Sequence, residues 1–471
     1  MLRLPHHNLA TCDGWSRREW MRIGGMALGG LTLPALLAQE AARRTLAAPS
    51  AHAATFGKAK SIILIQLLGG PGQHETFDPK PLAPAEVRGP FATIPTSTPG
   101  LQVGELMPQI ARHTDKLTVL RAMVTDDNAH SSSGYYMLTG VPHVPKNSEN
   151  ATPKFPNLHP GMGAVVRHLQ PTVGGIPSCV HLPDYIYNDG RITWPGQDGG
   201  WLGRAADPWL LVCDPSADDF KIPDLALPED VAQQRFQGRR GLREQLESTL
   251  AEVERRRVPD GFDEQTRLAY GLLAAPASRE AFDLGQESDV QRDAYGRTRF
   301  GQSLLLARRL VEAGVRIVQV NWTRLEGKEN NGGWDTHKDH NDSMKGWLMP
   351  IMDQAVAALF DDLQQRGLLD DTLVAWTGEF GRTPKFNARG GRDHWGKCFS
   401  IALGGGGIRG GQVIGESDEH AAYPVSGVVQ PEDLTATLFH ALGFNPDTEL
   451  HDPLGRPLPI SRGRVMTEFF A

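Results

Sequence analysis

The sequence predicts an α/β fold: a three-layer α/β/α sandwich around a mostly parallel central sheet. Unbroken apolar runs such as SIILIQLL at 61–68 and VRIVQVNW at 315–322 are typical of strands buried on both faces. Amphipathic helices alternate with these runs, which favours parallel strands joined through helices. Polar segments follow the runs, so we expect any ligand to bind at the carboxyl ends of the strands.

Each predicted strand ends where the chain must turn. The first run ends at Gly69 and Gly70, and a second strand, Leu117 to Val124, is followed by DDNAHSSSGYYMLTG, which predicts a loop and then a helix. In the second half, the helix GQSLLLARRLVEAG stops at Gly314 before a strand. The pattern then repeats through LMPIMDQAVAALFDDLQQRGLLDD, TLVAWTGEFG, FSIALGGGG and PEDLTATLFHALG. These units predict a doubly wound sheet.

The pattern is weaker between the two halves. Residues 142 to 219 are rich in Pro, Gly, Asn and Trp without sustained periodicity, and residues 229 to 312 are helical in composition. We therefore expect a single domain over residues 54–471, with an insertion at about 142–290 that covers the core.

The first 53 residues predict an export signal. Arg17 and Arg18 precede an apolar run from Ile23 to Leu37 that is too short and too rich in glycine for a membrane span. The small residues of Ala51 to Ala53 fit a cleavage site. This pattern predicts a twin-arginine signal peptide, no membrane span in the mature chain, and a periplasmic or secreted location. The alternative is a buried N-terminal helix.

Charge and cysteine content exclude two classes of protein. The chain has 48 basic and 55 acidic residues, and residues 1–53 hold more basic than acidic ones, so the mature part is more acidic still. Nucleic-acid binding needs a basic footprint and is not expected. Cys12 lies in the signal, and the irregular spacing of Cys179, Cys213 and Cys398 predicts neither a disulfide framework nor a cysteine zinc cage.

Three polar clusters stand beside predicted strands: GGWDTHKDH at 332–340, GEFGRTP at 378–384 and GGRDHWGK at 390–397. Parallel strands would bring them to one edge of the sheet. Histidine and carboxylate ligands without cysteine suit zinc, manganese or iron better than calcium. The alternative is a set of solvated turns that bind no metal, because Gly, Asn and Asp are turn formers.

The order of these motifs resembles that of the alkaline phosphatase and arylsulfatase superfamily over most of the mature chain. More closely, FDPKP, WDTH, GEFGRTP and GRDHW resemble an exported bacterial sulfatase-like family of unknown function. The resemblance implies an alkaline phosphatase-like fold. It also implies metal-dependent chemistry on phosphate or sulfate esters.

The resemblance also implies a set of metal ligands. In alkaline phosphatases an Asp, a nearby His and a later His hold one metal, and these roles fall on Asp335, His337 or His340, and His394. We favour His337, because two ligands two residues apart face one side of an extended segment. His340 is then a neighbour, and Glu379 completes the metal's shell or acts as a base.

A second metal site is expected to be largely lost. The resemblance places its Asp-His pair on Glu379 and Phe380, and a phenyl ring cannot bind a metal ion. Glu75, Asp78 and Asp127 are the residues that could substitute.

The nucleophile of the superfamily falls on His130, with Ser131 beside it. No Cys occurs between Cys12 and Cys179, so a formylglycine sulfatase is not expected. His130 could be a metal ligand, a general base, a nucleophile, or only a partner of the helix backbone. The serine could be only a helix cap.

The leading hypothesis is an exported, one-metal hydrolase or group-transfer enzyme, with zinc as the first choice of metal. His130, Ser131, Glu379 and Arg382 are its catalytic candidates, and Arg382 and Arg392 could clamp the anion. The expected substrate is a small anionic ester or a sulfated glycan. The rival is a non-catalytic sulfatase-like scaffold of the cell envelope, which would bind a protein partner.

We expect the mature chain to start near Ala54, because the small residues before it fit a signal-peptidase site. Amino-terminal sequencing of protein from the native periplasm or medium checks this. Native protein that keeps Met1 in the cytoplasm would contradict it.

Overall fold

The computed structural model describes residues 51–173, 176–222 and 280–471. The predicted signal up to residue 50 and most of the predicted helical region, residues 223–279, lie outside the described residues. The chain divides into two units, Met1–Ala54 and Thr55–Ala471, and the site lies in the second.

An eight-stranded sheet forms the centre of this unit. Its strands are, in chain order, β1 (Ser61–Gln66), β2 (Leu117–Met123), β3 (Cys179–Leu182), β4 (Trp209–Leu210), β5 (Ile317–Asn321), β6 (Thr372–Thr377), β7 (Phe399–Gly404) and β8 (Gln412–Ile414). Their order across the sheet is β4-β3-β5-β1-β6-β7-β2-β8. Strand β7 runs antiparallel to β6 and β2, and the other neighbouring pairs are parallel. The predicted α/β class with a mostly parallel sheet is confirmed.

The described helices are, in chain order, α1 (Ala51–Thr55), α2 (Ala85–Arg88), α3 (His130–Thr139), α4 (Met162–Leu169), α5 (Asp289–Ala294), α6 (Arg299–Glu312), α7 (His340–Ser343), α8 (Met349–Gln365) and α9 (Pro431–Ala441). A π-helical turn, Met344–Leu348, joins α7 to α8. Short 3₁₀ helices include Ile110–Lys116 and Glu329–Gly332.

Helices cover both faces of the sheet. Along β1 the side chains alternate: Ile63 and Ile65 belong to the core that contains α6 and α8, and Ile62 and Leu64 belong to the core that contains α3, α4 and α9. An unbroken apolar strand is therefore required, because each face needs apolar side chains. The predicted three layers are confirmed.

Small antiparallel pairs decorate this core. They are Thr93–Pro95 with Gln102–Gly104, Thr172–Val173 with Ile176–Pro177, Tyr187–Asn188 with Ile192–Thr193, Gly381–Arg382 with His394–Trp395, Glu416–Ser417 with Pro424–Ser426, and Glu449–His451 with Pro457–Pro459. The pair that joins Arg382 to His394 bears directly on the site.

Part of the predicted insertion belongs to the sheet itself. Strands β3 and β4 form one edge of the sheet, and β3 pairs in parallel with β5 from Cys179 to Leu182. All four residues of β3 are buried. A buried neighbour supplies hydrogen bonds and apolar contacts, so this short strand forms without a long periodic pattern. These residues extend the core rather than only cover it.

Two further observations bear on the expectations from composition. Cys179, Cys213 and Cys398 are free thiols, so the one disulfide that they could have formed is not made. Within the described residues, no helix has the length and hydropathy required to cross a membrane.

We expect Leu305→Ala to lower the free energy of unfolding by about 2–5 kcal/mol, because Leu305 of α6 is fully buried in the core against the sheet. The control, Val290→Ala on α5, alters a side chain of a residue that is 80% exposed and should change stability by less than about 0.5 kcal/mol. Urea unfolding of the mature protein measures both. Equal losses would contradict the packing of α6.

Candidate metal centre

Five separate segments meet at one edge of the sheet. Strands β1, β5 and β6 are adjacent and parallel, so their carboxyl ends bring together Gly69, the Asp335 loop and Glu379. Strand β2 points the same way and leads into α3, which begins at His130. Because β7 is antiparallel, the segment before it, with His394, arrives at this same edge.

Asp335 lies among three imidazole rings. Its Oδ1 is 3.0 Å from the Nε2 atoms of His337 and His394, and its Oδ2 is 3.3 Å from Nε2 of His130. The Nε2 atoms of His337 and His394 are 2.9 Å apart. Metal bonds of ~2.0–2.2 Å place neighbouring donor atoms of a tetrahedral site about 3.4 Å apart. The donor spacing is close to that of a zinc site.

The second ring nitrogen of each histidine bonds an oxygen that only accepts. The Nδ1 atoms of His130, His337 and His394 lie, respectively, 2.7 Å from Glu379 Oε1, 2.6 Å from Asp393 Oδ1 and 2.6 Å from the carbonyl oxygen of Asn128. Each Nδ1 therefore donates, which directs Nε2 to Asp335 as the potential ligand atom. Metal-binding histidines are usually oriented in this way.

Glu379 supports His130 from the side that faces away from Asp335. Its Oε1 accepts from the backbone N–H of Gly69 at 2.8 Å as well as from His130, and its side chain is 2% exposed. Its Oε2 is buried without a hydrogen-bond partner among the described residues. This position fits an orienting carboxylate for His130 better than a fourth ligand beside Asp335.

Arg382 is fully buried and has no N–H group aimed at solvent. Its Nη2 lies 2.7 Å from Asp335 Oδ1 and also donates to the carbonyl of Gly69. Nε donates to Gly70 at 3.0 Å, and Nη1 donates to the carbonyl of Arg392 at 3.0 Å. The expectation that Arg382 clamps an anion needs correction, because its donors already have protein acceptors. It holds Asp335 in place instead.

Arg392 is engaged in the same way. It is fully buried, its Nη2 lies 2.7 Å from Glu75 Oε1, and its other contacts include the carbonyls of Val87, Thr383 and Pro384. The expected anion-clamping role does not fit this arrangement either.

Ser131 is turned away from the centre. Its hydroxyl donates to the carbonyls of Ser148 and Glu149 and accepts from the N–H of Ala151 at 2.9 Å. The side chain therefore ties α3 to the 148–151 loop, and a nucleophilic role for Ser131 does not fit its contacts.

His340 lies in a different environment from His337. It is fully buried, its Nδ1 is 2.6 Å from Thr336 Oγ1, and its Nε2 is 3.1 Å from Glu75 Oε2. The extended segment WDTH thus turns Asp335 and His337 to the centre, and His340 begins α7 among other partners. Of the two alternatives for the nearby histidine, the geometry favours His337.

The acids that could have rebuilt a second metal site have partners of their own. Glu75 pairs with Arg392 at 2.7 Å, Asp78 with Lys80 at 3.0 Å, and Asp127 accepts from Ser132 at 2.8 Å. None of them joins the donor group of His130, Asp335 and His394, whose ligand atoms lie within 4.8 Å of one another.

The charges at the centre oppose its burial. Burial favours a neutral Asp335, but Arg382 and the hydrogen bonds from the histidines hold its pKa well below the usual range. Burial also disfavours charge on His130, but bonds to Asp335 and Glu379 raise its pKa to about 9. The pKa of His394 is lowered by burial and by Arg382. A metal ion would therefore displace a proton from the centre when it binds.

A cavity of about 240 Å³ opens onto His130 and Asp335. Its walls include Tyr185, Tyr187 and Trp194, which come from the predicted insertion. Segments without periodicity thus shape the space beside the centre.

Sequence reasoning missed three features of this site. Asp393, the partner of His337, precedes His394 in GRDHW, and an Asp next to a ligand His was the signal that could have found it. The carbonyl of Asn128 and the cavity walls gave no such signal, because neither depends on a recognisable side-chain motif.

The chain belongs to the family described as Protein of unknown function (DUF1501), whose profile matches residues 59–470. Membership of a family of unknown function, predicted from WDTH, GEFGRTP and GRDHW, is thereby confirmed. No curated protein matches the chain.

Solved structures with a similar fold include those of two hydrolases and a synthase. The PsFucS1 sulfatase from Pseudoalteromonas sp. is 11% identical, with 89% of this chain and 73% of that chain covered and a TM-score of 0.41. The phosphonate monoester hydrolase SpPMH from Silicibacter pomeroyi is 11% identical, with 87% and 76% covered and a TM-score of 0.40. The lipoteichoic acid synthase LtaP from Listeria monocytogenes is 9% identical, with 83% and 74% covered and a TM-score of 0.37.

We expect Gly69→Ala to disturb the centre. Gly69 has a φ of +109°, and a Cβ there would lie 2.2 Å from the backbone nitrogen of Asp335. The Asp335 loop must shift, so both stability and metal binding should fall. Urea unfolding and metal analysis of the purified variant measure these changes.

Gly100→Ala is the matched control, because Gly100 has a φ of +83° but no atom within 4 Å of the added Cβ. It carries the cost of a left-handed alanine, roughly 1–2 kcal/mol, without the collision. A Gly69 variant that loses no more stability and no more metal than the Gly100 variant would show that the close approach is unimportant.

Proposed function

We propose that this protein is an exported, metal-dependent hydrolase or group-transfer enzyme acting on phosphate or sulfate esters, with a single zinc ion. One observation carries the proposal: three histidines each give Nδ1 to an accepting oxygen and turn Nε2 toward one carboxylate, Asp335. Such orientation costs conformational freedom and buries charge, and it has a clear use when a cation binds.

Asp335, His337 and His394 are the proposed ligands. Imidazole nitrogens with one carboxylate oxygen and no thiolate suit zinc. Bound there, zinc would polarise an ester oxygen or activate a water molecule.

His130 is the proposed catalytic residue. Its Nε2 faces the carboxylate of Asp335 at 3.3 Å, and its Nδ1 is held by Glu379 at 2.7 Å. An imidazole oriented by a buried carboxylate can take a proton from an attacking group or attack the ester itself. Glu379 acts through His130, and Arg382 acts by holding Asp335.

A single metal is favoured over two by charge. The guanidinium of Arg382 lies 2.7 Å from Asp335 Oδ1 and is fully buried. A fixed positive charge in contact with the carboxylate repels a second cation there. Phe380 also offers no ligand where the superfamily has a histidine.

Export through the twin-arginine route would fit a metal enzyme, because that route carries folded proteins that can bind metal before export. The proposed substrate is a small anionic ester or a sulfated glycan, and nucleic acid is not expected.

A scaffold remains the second candidate because four donor groups converge on one point. If His130 joins Asp335, His337 and His394 as a ligand, the tetrahedral shell is closed, and closed zinc sites are structural rather than catalytic. In that case the fold would hold a metal without turnover and would serve to bind a protein partner.

Single substitutions separate the two candidates. We expect His394→Ala to lose both bound zinc and ester hydrolysis, because it removes a ligand. His130→Gln should keep zinc but lose hydrolysis by about 10²–10⁴-fold, the usual range for a general acid–base residue. Metal analysis and assays with 4-nitrophenyl phosphate and 4-nitrophenyl sulfate measure these outcomes.

His340→Gln is the matched control, since His340 is as buried as any ligand but bonds Thr336 and Glu75 instead. It should keep zinc better than His394→Ala. Loss of zinc in His130→Gln would mean a closed site and favour the scaffold. Folded Asp335→Ala, His337→Ala and His394→Ala variants that keep all their metal would end the metal proposal.

A further inference from the structure

The cavity beside the centre is lined mainly by groups that form hydrogen bonds. The lining includes Thr323 and the amides of Asn150, Asn188, Asn330 and Asn331. Of these, Asn150 and Asn331 are exposed. We infer that this cavity binds the alcohol part of the ester as a sugar-like, hydroxyl-rich group, an inference that rests on the proposed function.

The aromatic residues in the wall do not form an open apolar slot. The ring of Trp194 stacks against His130 at 6.0 Å between centroids, and Trp194 is 4% exposed. Trp322 is 1% exposed and packs against Phe300 and Trp334. An aryl group or a lipid chain would therefore find little apolar surface in the cavity.

The two tyrosines differ in what covers their rings. The guanidinium carbons of Arg191 and Arg324 lie 4.5 Å and 5.8 Å from the ring centroid of Tyr187, so cations already occupy that ring. Tyr185 is 45% exposed and lines the cavity. One open ring among amides suits the mixed C–H and hydroxyl surface of a saccharide.

The charges of the wall favour a neutral group over a polyanion. Glu149, Asp189 and Asp335 line the cavity together with a single cation, Arg324, which pairs with Asp189. A nucleotide or polyphosphate would meet more carboxylates than guanidinium groups. Sugar hydroxyls both donate and accept, so they can bond the carboxylates and the amides together.

The volume sets the size of this group. At about 240 Å³ the cavity is below the roughly 300–1,000 Å³ of sites for drug-sized ligands. It therefore has room for one ring, and a longer glycan would extend into solvent past Tyr185.

The test compares the alcohol part while the reacting anion is unchanged. The substrates are 6-sulfates and 6-phosphates of glucose, galactose and N-acetylglucosamine, with hexyl and phenyl esters of the same acids, assayed on the zinc-loaded mature protein. We expect the best sugar ester to exceed the hexyl ester at least tenfold in kcat/KM. Tyr185→Ala should raise KM for the sugar ester several-fold and leave the hexyl ester unchanged.

Tyr423→Ala is the matched control, because Tyr423 is 51% exposed and lies outside the cavity lining. Hexyl or phenyl esters that match the sugar esters, or a Tyr185→Ala effect shared by all substrates, would overturn the inference and leave the proposed function intact.

If no ester is turned over, the proposed function fails, and saturation-transfer NMR with the same sugar esters still decides about the cavity. Sugar contacts that disappear in Tyr185→Ala support the cavity inference alone. Absence of any contact overturns it as well.

Discussion

The buried pair between Asp335 and Arg382 is the interaction on which the site depends. Arg382 has no exposed surface and donates to Asp335 and to the carbonyls of Gly69 and Gly70. A guanidinium so deeply buried needs a full set of acceptors, because the desolvation cost of the charge is several kcal/mol. The pair therefore ties the end of β1 to the loop after β5.

Sheet topology supplies the remaining constraint. Loops that follow parallel strands gather at one edge, and β7, the antiparallel member, adds the segment that precedes it. His394 is contributed in this way, and His130 comes from the start of α3. The four donor groups come from three loops, so the whole sheet must form before they meet.

The contacts of the polar side chains move the proposed chemistry toward His130. Ser131 and Arg382, two of the expected catalytic residues, have all their polar contacts within the protein. Glu379 also lies behind His130 rather than beside a substrate. What remains at the cavity is one imidazole, one carboxylate and a wall of hydrogen-bonding groups, which is a small set for an enzyme and a large one for a scaffold.

By itself the sequence determined the α/β class, the mostly parallel sheet and the family, because unbroken apolar strands, helix periodicity and short motifs are local properties of the chain. It also placed Asp335, His337 and His394 beside strand ends. The tertiary structure alone decided the choice between His337 and His340, the engagement of Arg382, and the strands formed from the predicted insertion. Those outcomes depend on contacts between residues far apart in the chain, where burial and the supply of hydrogen-bond partners select one arrangement among several that the local pattern allows.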